Sequence, residues 1–261
     1  MLRVYGYMFH RYRRTWRGTI TSSFLYPLMY LLAMGIGLGH LVNHHLAGAS
    51  SPVGFSRLGG VGYVTFIAPG LLAATAMQMA TNESTYPVME GVKWARTYLA
   101  MLAAPIEARD VQRGQLLWIA TRVAISGAVF LAIMAAFGDV LSPYAVLALV
   151  ASTLTGMAFA APVAAFAVTR ENSTSFPIMY RLGIVPLFLF SGTFFPITNL
   201  PGWLQVIARV TPLYHGVELC RALVLGQMNA ASLAVDTGYL ACLVLFGVYF
   251  GGRTFAKRLA Q

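Results

Sequence analysis

Few residues in this sequence have the types and spacing that chemistry requires. ATP hydrolysis by the commonest route needs a G-x-x-x-x-G-K-[ST] loop, whose backbone N–H groups and lysine hold the phosphates. The only lysines are Lys93 and Lys257, and neither follows a glycine. We therefore expect no ATP-binding loop of this kind. We also expect no catalytic residues, no bound metal and no cofactor on this chain.

Histidines supply two further chemical possibilities. His40 and His44 are four residues apart, with His45 beside them, a spacing that would let two imidazoles share a metal ion. Because no cysteine or carboxylate is nearby in the sequence, we interpret them as interfacial polar residues.

His215 and Glu218 are three residues apart on a predicted helix, so a membrane-embedded lipid-modifying enzyme stays open as an alternative function.

Ionisable residues inside apolar runs are scarce, although such residues generally mark function in membrane proteins. Arg122 is the clearest case, and it has two interpretations: its side chain extends to the cytoplasmic face, or it pairs with Glu83. Asp236 is expected at the outer surface. An ion-coupled carrier is a second alternative function. Such a carrier would normally have carboxylates at mid-membrane, and the scarcity of ionisable residues in the apolar runs weakens this alternative.

Composition determines the class of fold. Hydrophobic residues make up 58% of the 261 positions and charged residues only 10%, whereas about a quarter of a soluble domain is charged. The apolar residues form long runs near the roughly 20 residues that a helix needs to cross a membrane. We predict an all-α integral membrane protein, a single transmembrane domain over residues 1–261 with six transmembrane helices. The predicted spans are residues 20–42, 61–82, 115–137, 144–168, 178–197 and 234–252.

The distribution of basic residues predicts the orientation. The formal net charge is +10, but the basic residues lie beside apolar runs, where they contact lipid head groups, so nucleic acid is not an expected partner. Most of them lie in the leader, in the connections between spans 2 and 3 and between spans 4 and 5, and in the tail. By the positive-inside rule these segments are cytoplasmic. We predict a multi-pass protein of the bacterial inner (plasma) membrane with both termini in the cytoplasm.

The leader, residues 1–17, alternates aromatic residues with arginines that include Arg11, Arg13 and Arg14. This pattern is typical of a helix that lies in the membrane interface. A disordered basic leader is the alternative.

Two further segments are predicted to be helical. Residues 93–105 form a short helix-prone stretch on the cytoplasmic side that Pro105 ends. Residues 198–226 are too interrupted by prolines for one span and too apolar for an exposed loop. Non-helical backbone at membrane depth must be buried in protein or line a cavity. We therefore predict two short re-entrant helices on the outer side, over residues 200–209 and 213–225.

Several stretches of the sequence resemble type-2 ATP-binding-cassette exporter permeases, in particular the branch of nodulation-factor export and daunorubicin-resistance permeases. The likeness covers nearly the whole chain and is most specific between residues 190 and 221. The stretches that carry it are residues 63–70 (YVTFIAPG), 99–106 (LAMLAAPI), 190–197 (FSGTFFPI), 200–204 (LPGWL) and 211–221 (TPLYHGVELCR).

The resemblance implies a transmembrane subunit that exports a hydrophobic or amphipathic substrate, such as a drug, lipid or glycolipid. It also implies a second permease subunit, identical or related, and two separate ATPase subunits that bind ATP and Mg. Residues 93–105 would then be the coupling helix that docks into the ATPase. The residues implied in coupling are Arg11, Arg13, Arg14, Lys93, Trp94, Arg96, Tyr98 and Leu99.

Aromatic and methionine side chains on two spans could line the substrate path, because they adapt to varied apolar ligands. They are Phe66, Met77 and Met79 on the second span, and Phe188, Phe190, Phe194 and Phe195 on the fifth. Packing between helices or against lipid is the alternative role for each.

Overall fold

The computed structural model describes residues 1–14 and 62–260, together with the isolated residues Met29 and Ala33. Apart from Met29 and Ala33, the predicted first span lies outside the described residues. So do residues 15–17 of the leader and the three histidines at the end of that span. Within these ranges the chain is helical, with turns and bends between the helices and no strand.

The helices of the described ranges are labelled here in chain order. They are α1 (residues 2–14), α2 (Tyr63–Trp94, with a bend at Thr85), α3 (Thr97–Leu102), α4 (Ala108–Ala136), α5 (Ala145–Thr169), α6 (Ser175–Phe190), α7 (Gly202–Val210), α8 (Pro212–Leu225) and α9 (Ala230–Leu259). Four of them, α2, α4, α5 and α9, are long and apolar enough to cross a membrane. They correspond to the second, third, fourth and sixth predicted spans, and a multi-pass helical membrane protein is confirmed.

The fifth predicted span is shorter than expected. Helix α6 ends at Phe190, so the prediction that it continues to residue 197 was wrong. The backbone turns at Gly192, whose φ of 81° lies in the left-handed region that favours glycine, and Pro196 follows. A short 3₁₀ turn, Ile197–Asn199, then leads to α7.

Helix α2 is not uniform along its length. Pro87 has no N–H to donate to the turn before it, and the helix bends at Thr85. Hydroxyls of Thr81, Ser84 and Thr85 donate to carbonyls of the preceding turn, at 2.8, 2.7 and 3.1 Å, a pattern that often accompanies a bend. Beyond the bend, Glu90–Trp94 forms a wide π-helical turn.

Two apolar clusters occupy the two ends of the bundle. One contains the start of α2, the end of α4, the start of α5 and the inner face of α8. The other contains the second half of α2, the start of α4 and the ends of α5 and α9, and α1 and α3 pack onto it. The N-terminal helix, the connection after α2 and the C-terminal end of α9 therefore lie at the same end of the bundle. We call this the α1/α3 end, and the other the α8 end.

The two helices predicted between residues 198 and 226 are present as α7 and α8. Pro212 at the first position of α8 cannot extend α7, and the Thr211 hydroxyl caps α8 by accepting from the backbone N–H of Tyr214 at 3.4 Å. Gly226, with φ of 75°, ends α8. Their depth in the membrane stays a prediction.

Candidate functional site

The predicted coupling helix is shorter than expected and is preceded by a sharp turn. Helix α3 covers Thr97–Leu102, so Lys93 and Trp94 lie on the π-helical end of α2 and not on the helix predicted over residues 93–105. Arg96 separates the two helices, with φ of 49° in the left-handed region that non-glycine residues seldom adopt. The helix ends before Pro105, because the residue preceding a proline disfavours helical backbone.

Tyr98 anchors α3 to the bundle. Its side chain is fully buried, its ring lies 6.2 Å from that of Phe255 on α9, and it packs so closely on Gly91 that a Cβ there would lie 2.6 Å from the ring. Burial, with a smaller contribution from the charge of Glu90, raises the pKa of the Tyr98 hydroxyl above its ordinary value. A neutral, buried ring at this position holds α3 in place and does not form part of an exposed contact surface.

The neighbours of Tyr98 in the sequence include exposed residues. We call the segment from Glu90 to Leu102, where α2 is followed by α3, the joint. Trp94 is 59% exposed and Leu99 is 42% exposed, and Arg96 is exposed between them in sequence. We call these three residues the Trp94 surface. Exposed tryptophan and arginine are enriched where proteins bind partners.

Ion pairs connect this segment to parts of the chain that are distant in the sequence. Arg11 on α1 contacts Glu90 on α2 at 2.5 Å. Glu171, in the turn between α5 and α6, accepts hydrogen bonds from both Lys93 and Arg258, and the Lys93 Nζ also donates to the Glu171 carbonyl at 2.8 Å. The hydrogen bonds from Lys93 and then Arg258 lower the pKa of the Glu171 carboxyl. The turn after α2 is thereby tied to α1, α9 and the α5–α6 turn.

Helix α1 packs on α4 through an aromatic cluster. Val4 and Met8 are buried, while the rings of Tyr5 and Tyr12 lie 6.0 and 5.2 Å from that of Trp118. The prediction of a helical leader is confirmed for residues 2–14. Of the leader arginines implied in coupling, only Arg11 contacts Glu90; Arg13 and Arg14 are exposed.

The structure decides between the two interpretations of Arg122. Its Nη1 lies 2.8 Å from Oε1 of Glu83, with both side chains less than one-fifth exposed, and its guanidinium lies 4.9 Å from the centre of the Tyr12 ring. Pairing with Glu83 is confirmed.

The residues predicted to line the substrate path do not form one surface. Phe66 and Met77 are buried in the cluster at the α8 end, and Phe188 and Phe194 pack on it with their rings 5.0 Å apart. Met79 packs on the other cluster. Phe190 is 41% exposed and Phe195 is half-buried. Four of the seven predicted residues are therefore close together in this conformation, and the path itself stays a prediction.

A polar network at the α8 end was not predicted. Arg221 on α8 contacts Glu218 at 2.7 Å, donates to the carbonyl of Gly192 at 2.8 Å and to that of Phe66 at 3.5 Å, and its guanidinium lies 4.0 Å from the Phe66 ring centre. These carbonyls lie in the loop after α6 and within α2. A Glu and an Arg three residues apart in an apolar segment were the sequence signal for this network.

His215 and Glu218, the pair on which the enzyme alternative rested, bind different partners. The Nδ1 of His215 lies 2.6 Å from Oδ1 of Asp236 on α9, whereas Glu218 pairs with Arg221. Asp236 was expected at the outer surface, but it is buried beside α8. The reason is that Asp236 lies on the side of α9 that meets His215 of α8, whereas its sequence neighbours Val235 and Thr237 are exposed.

These features define a multi-pass helical membrane protein whose α1/α3 end has a short exposed joint held by ion pairs. Residues 4–225 match the family described as ABC-2 type transporter, and the chain belongs to that family. It is thus the membrane-spanning subunit of an ATP-binding-cassette exporter.

Curated relatives support the assignment over almost the whole chain. The chain is 33% identical to Nodulation protein J of Rhizobium leguminosarum bv. trifolii over 235 residues, which cover 90% of this chain and 84% of the relative. It is 29% identical to Nodulation protein J of Rhizobium meliloti (strain 1021) over 242 residues, covering 92% and 87% of the two chains. The corresponding protein of Rhizobium leguminosarum bv. viciae is 28% identical over 243 residues, covering 93% and 88%.

Proposed function

We propose that the chain exports a hydrophobic or amphipathic substrate, such as a drug, lipid or glycolipid, and that a separate ATPase drives it by docking on the Trp94 surface. The chain would pair with a second permease subunit, identical or related, above two ATPase subunits that bind ATP and Mg. In this proposal the α1/α3 end, which contains both termini, faces the cytoplasm of a bacterial inner membrane.

The observation that carries the proposal is the construction of the joint after α2. The buried Tyr98 holds α3 against the bundle and the partly exposed ion pairs of Glu90 and Glu171 hold the end of α2, while Trp94, Arg96 and Leu99 remain exposed. A rigid joint with an exposed aromatic surface suits a contact that transmits force. Closure of the ATPase would move α3, and α3 would move α2 because Tyr98 packs on Gly91.

A glycolipid is one of the cargo classes implied by the resemblance to nodulation-factor exporters, and several relatives are Nodulation protein J. The buried Phe66 and the partly buried Phe188 and Phe194 would contact an apolar portion of the cargo when the helices separate.

Co-purification with the ATPase tests the docking surface. We expect the double variant Trp94→Ala and Leu99→Ala to retain at least tenfold less ATPase subunit, because tryptophan anchors typically carry 2 kcal/mol or more of binding, at about 1.4 kcal/mol per tenfold change in affinity. Trp203→Ala is the matched control, since Trp203 on α7 is also largely exposed, at 66%.

Three outcomes would contradict the proposal. The first is equal capture of ATPase by the double variant and the control. The second is full export in a strain that lacks every candidate ATPase. The third is extracellular labelling of a cysteine placed at Arg96, because an ATPase in the cytoplasm could not then reach the surface.

A further inference from the structure

A polar cavity lies at the α1/α3 end, beneath α1 and between α2, α3 and α4. Its volume is about 200 Å³. Polar side chains from four helices line it, alongside apolar and aromatic ones, and they include Arg11, Glu83, Glu90, Tyr98, Gln115 and Arg122.

The charges around this cavity cancel. Arg11 pairs with Glu90 at 2.5 Å and Arg122 pairs with Glu83 at 2.8 Å, so the lining has two positive and two negative groups. A ligand with net charge would gain no overall attraction from such a lining. A zwitterion can place its positive group near the carboxylates and its negative group near a guanidinium, which has five N–H donors.

Two buried atoms in the lining residues have no hydrogen-bond partner in the part of the chain that the structure describes. They are the hydroxyl oxygen of Tyr98 and the Oε1 of Gln115. Buried polar atoms in folded proteins nearly always have a partner. The Oε1 of Gln115 can only accept a hydrogen bond, whereas the Tyr98 hydroxyl can accept one or donate one. The missing partner of Gln115 is therefore a donor group, and a primary ammonium, which provides three N–H donors from one atom, could also donate to the Tyr98 oxygen.

We propose that this cavity binds the phosphoethanolamine head group of a membrane phospholipid. The ammonium group lies among Tyr98, Gln115 and the two carboxylates, and the phosphate lies against Arg11. The aromatic rings of Tyr12 and Trp118, which also line the cavity, favour a cation beside them. Helix α1 has buried apolar residues and exposed arginines, as expected of a helix at head-group depth, which places the cavity where lipid head groups are abundant.

Lipid retention by the purified full-length protein tests the proposal. The protein is reconstituted with equal amounts of phosphatidylethanolamine, phosphatidylcholine and phosphatidylglycerol that have the same acyl chains, and the lipid that remains after detergent washing is measured by mass spectrometry. We expect about tenfold enrichment of phosphatidylethanolamine, because a choline group has no N–H to donate and glycerol has no positive charge.

Two sets of variants locate the site. Tyr98→Phe and Gln115→Leu keep the shape of the lining and remove the two unpartnered atoms, so they should lose most of the enrichment. Arg11→Gln should lose it as well. Arg13→Gln is the matched control, because it removes the same charge from the same helix at a position that does not line the cavity; it should retain the enrichment.

The opposite results would overturn the proposal. Equal retention of the three lipids would show that the protein does not select this head group. Unchanged enrichment in Tyr98→Phe and Gln115→Leu would show that the lipid binds outside this cavity. Preferential retention of phosphatidylglycerol that Arg13→Gln abolishes would show general attraction to the basic face of α1. If free phosphoethanolamine binds as tightly as the lipid, the site takes a soluble compound and the lipid assignment is wrong.

Discussion

The two ends of the bundle use charged side chains in different ways. At the α1/α3 end, ion pairs connect helix ends that are far apart in the sequence, as Glu171 does with Lys93 and Arg258. At the α8 end, Arg221 donates to backbone carbonyls of Gly192 and Phe66. The ion pairs of Glu171 connect segments at the surface, whereas Arg221 donates hydrogen bonds to carbonyls inside the bundle, one in the loop after α6 and one within α2. Loss of a charge should therefore affect the two ends very differently.

The largest effect is expected from Arg221→Met at the α8 end. This change leaves the Gly192 carbonyl without its charged donor and removes the ion-pair partner of Glu218, whose side chain is 39% exposed. We expect a loss of about 3 kcal/mol of stability, mainly because a hydrogen bond from a charged group contributes about 1.5–3 kcal/mol, whereas the partly exposed ion pair contributes little. The measurement is thermal unfolding of the purified protein in detergent. Arg209→Met on α7, where the arginine is exposed, is the control, and equal melting temperatures for the two variants would contradict the comparison.

An intermediate effect is expected where glycines allow close approach. A Cβ on Gly216 of α8 would lie 2.3 Å from Thr155 of α5, and one on Gly91 of α2 would lie 2.6 Å from the Tyr98 ring. We expect Gly216→Ala to lower the free energy of unfolding by about 2 kcal/mol, because α8 and α5 must move apart to make room for the added methyl group. Gly91→Ala should mainly displace α3 and lower the ATPase activity stimulated by substrate.

Gly238→Ala on α9 is the control for both, because nothing lies within 4 Å of a Cβ at that position. Its stability should be unchanged or slightly higher, since alanine favours helix. If Gly216→Ala melts at the same temperature as Gly238→Ala, close packing at the α8 end does not limit stability.

The smallest effect is expected from Glu171→Gln at the α1/α3 end. Because its hydrogen bonds lower the pKa of Glu171, the ionised carboxylate stabilises the folded protein at neutral pH. This contribution is lost as pH falls through the lowered pKa, below the ordinary carboxyl value of about 4.3.

The difference in melting temperature between wild type and Glu171→Gln should thus be small at pH 7, smaller still in high salt, and should decrease further as the pH falls below the ordinary carboxyl value. Glu107→Gln, which changes another exposed carboxylate at this end, is the control. A difference that grows in acid would have the wrong sign for the ion pairs described.

The sequence was sufficient to predict the long helices, because uninterrupted apolar runs allow few other structures in a membrane. It predicted α7 and α8 from Pro212 and the surrounding charges, and it offered Glu83 as the partner of Arg122 in one of two interpretations. The end of the fifth span was wrong by several residues, although Gly192 and Pro196 were visible signals. The span was predicted to continue through these two residues because the segment around them is hydrophobic.

Features set by long-range contact could not be read from local patterns. Tyr98 was assigned to an exposed coupling contact, because nothing nearby in sequence showed that Gly91 leaves space for its ring. The left-handed backbone of Arg96 has no residue-type signature. The partners of Glu171 are 78 and 87 residues away, and only the folded chain brings them together.

The wide turn at Glu90–Trp94 has a consequence for the direction in which the Trp94 surface points. A π-helical turn contains one residue more than the hydrogen-bonding pattern of an α-helix requires, and one residue corresponds to about 100° of rotation around a helix axis. Deleting a single residue there would restore a continuous α-helix and turn Trp94 by about that angle relative to the membrane-spanning part. One additional amino acid thus determines which way the chain presents its tryptophan.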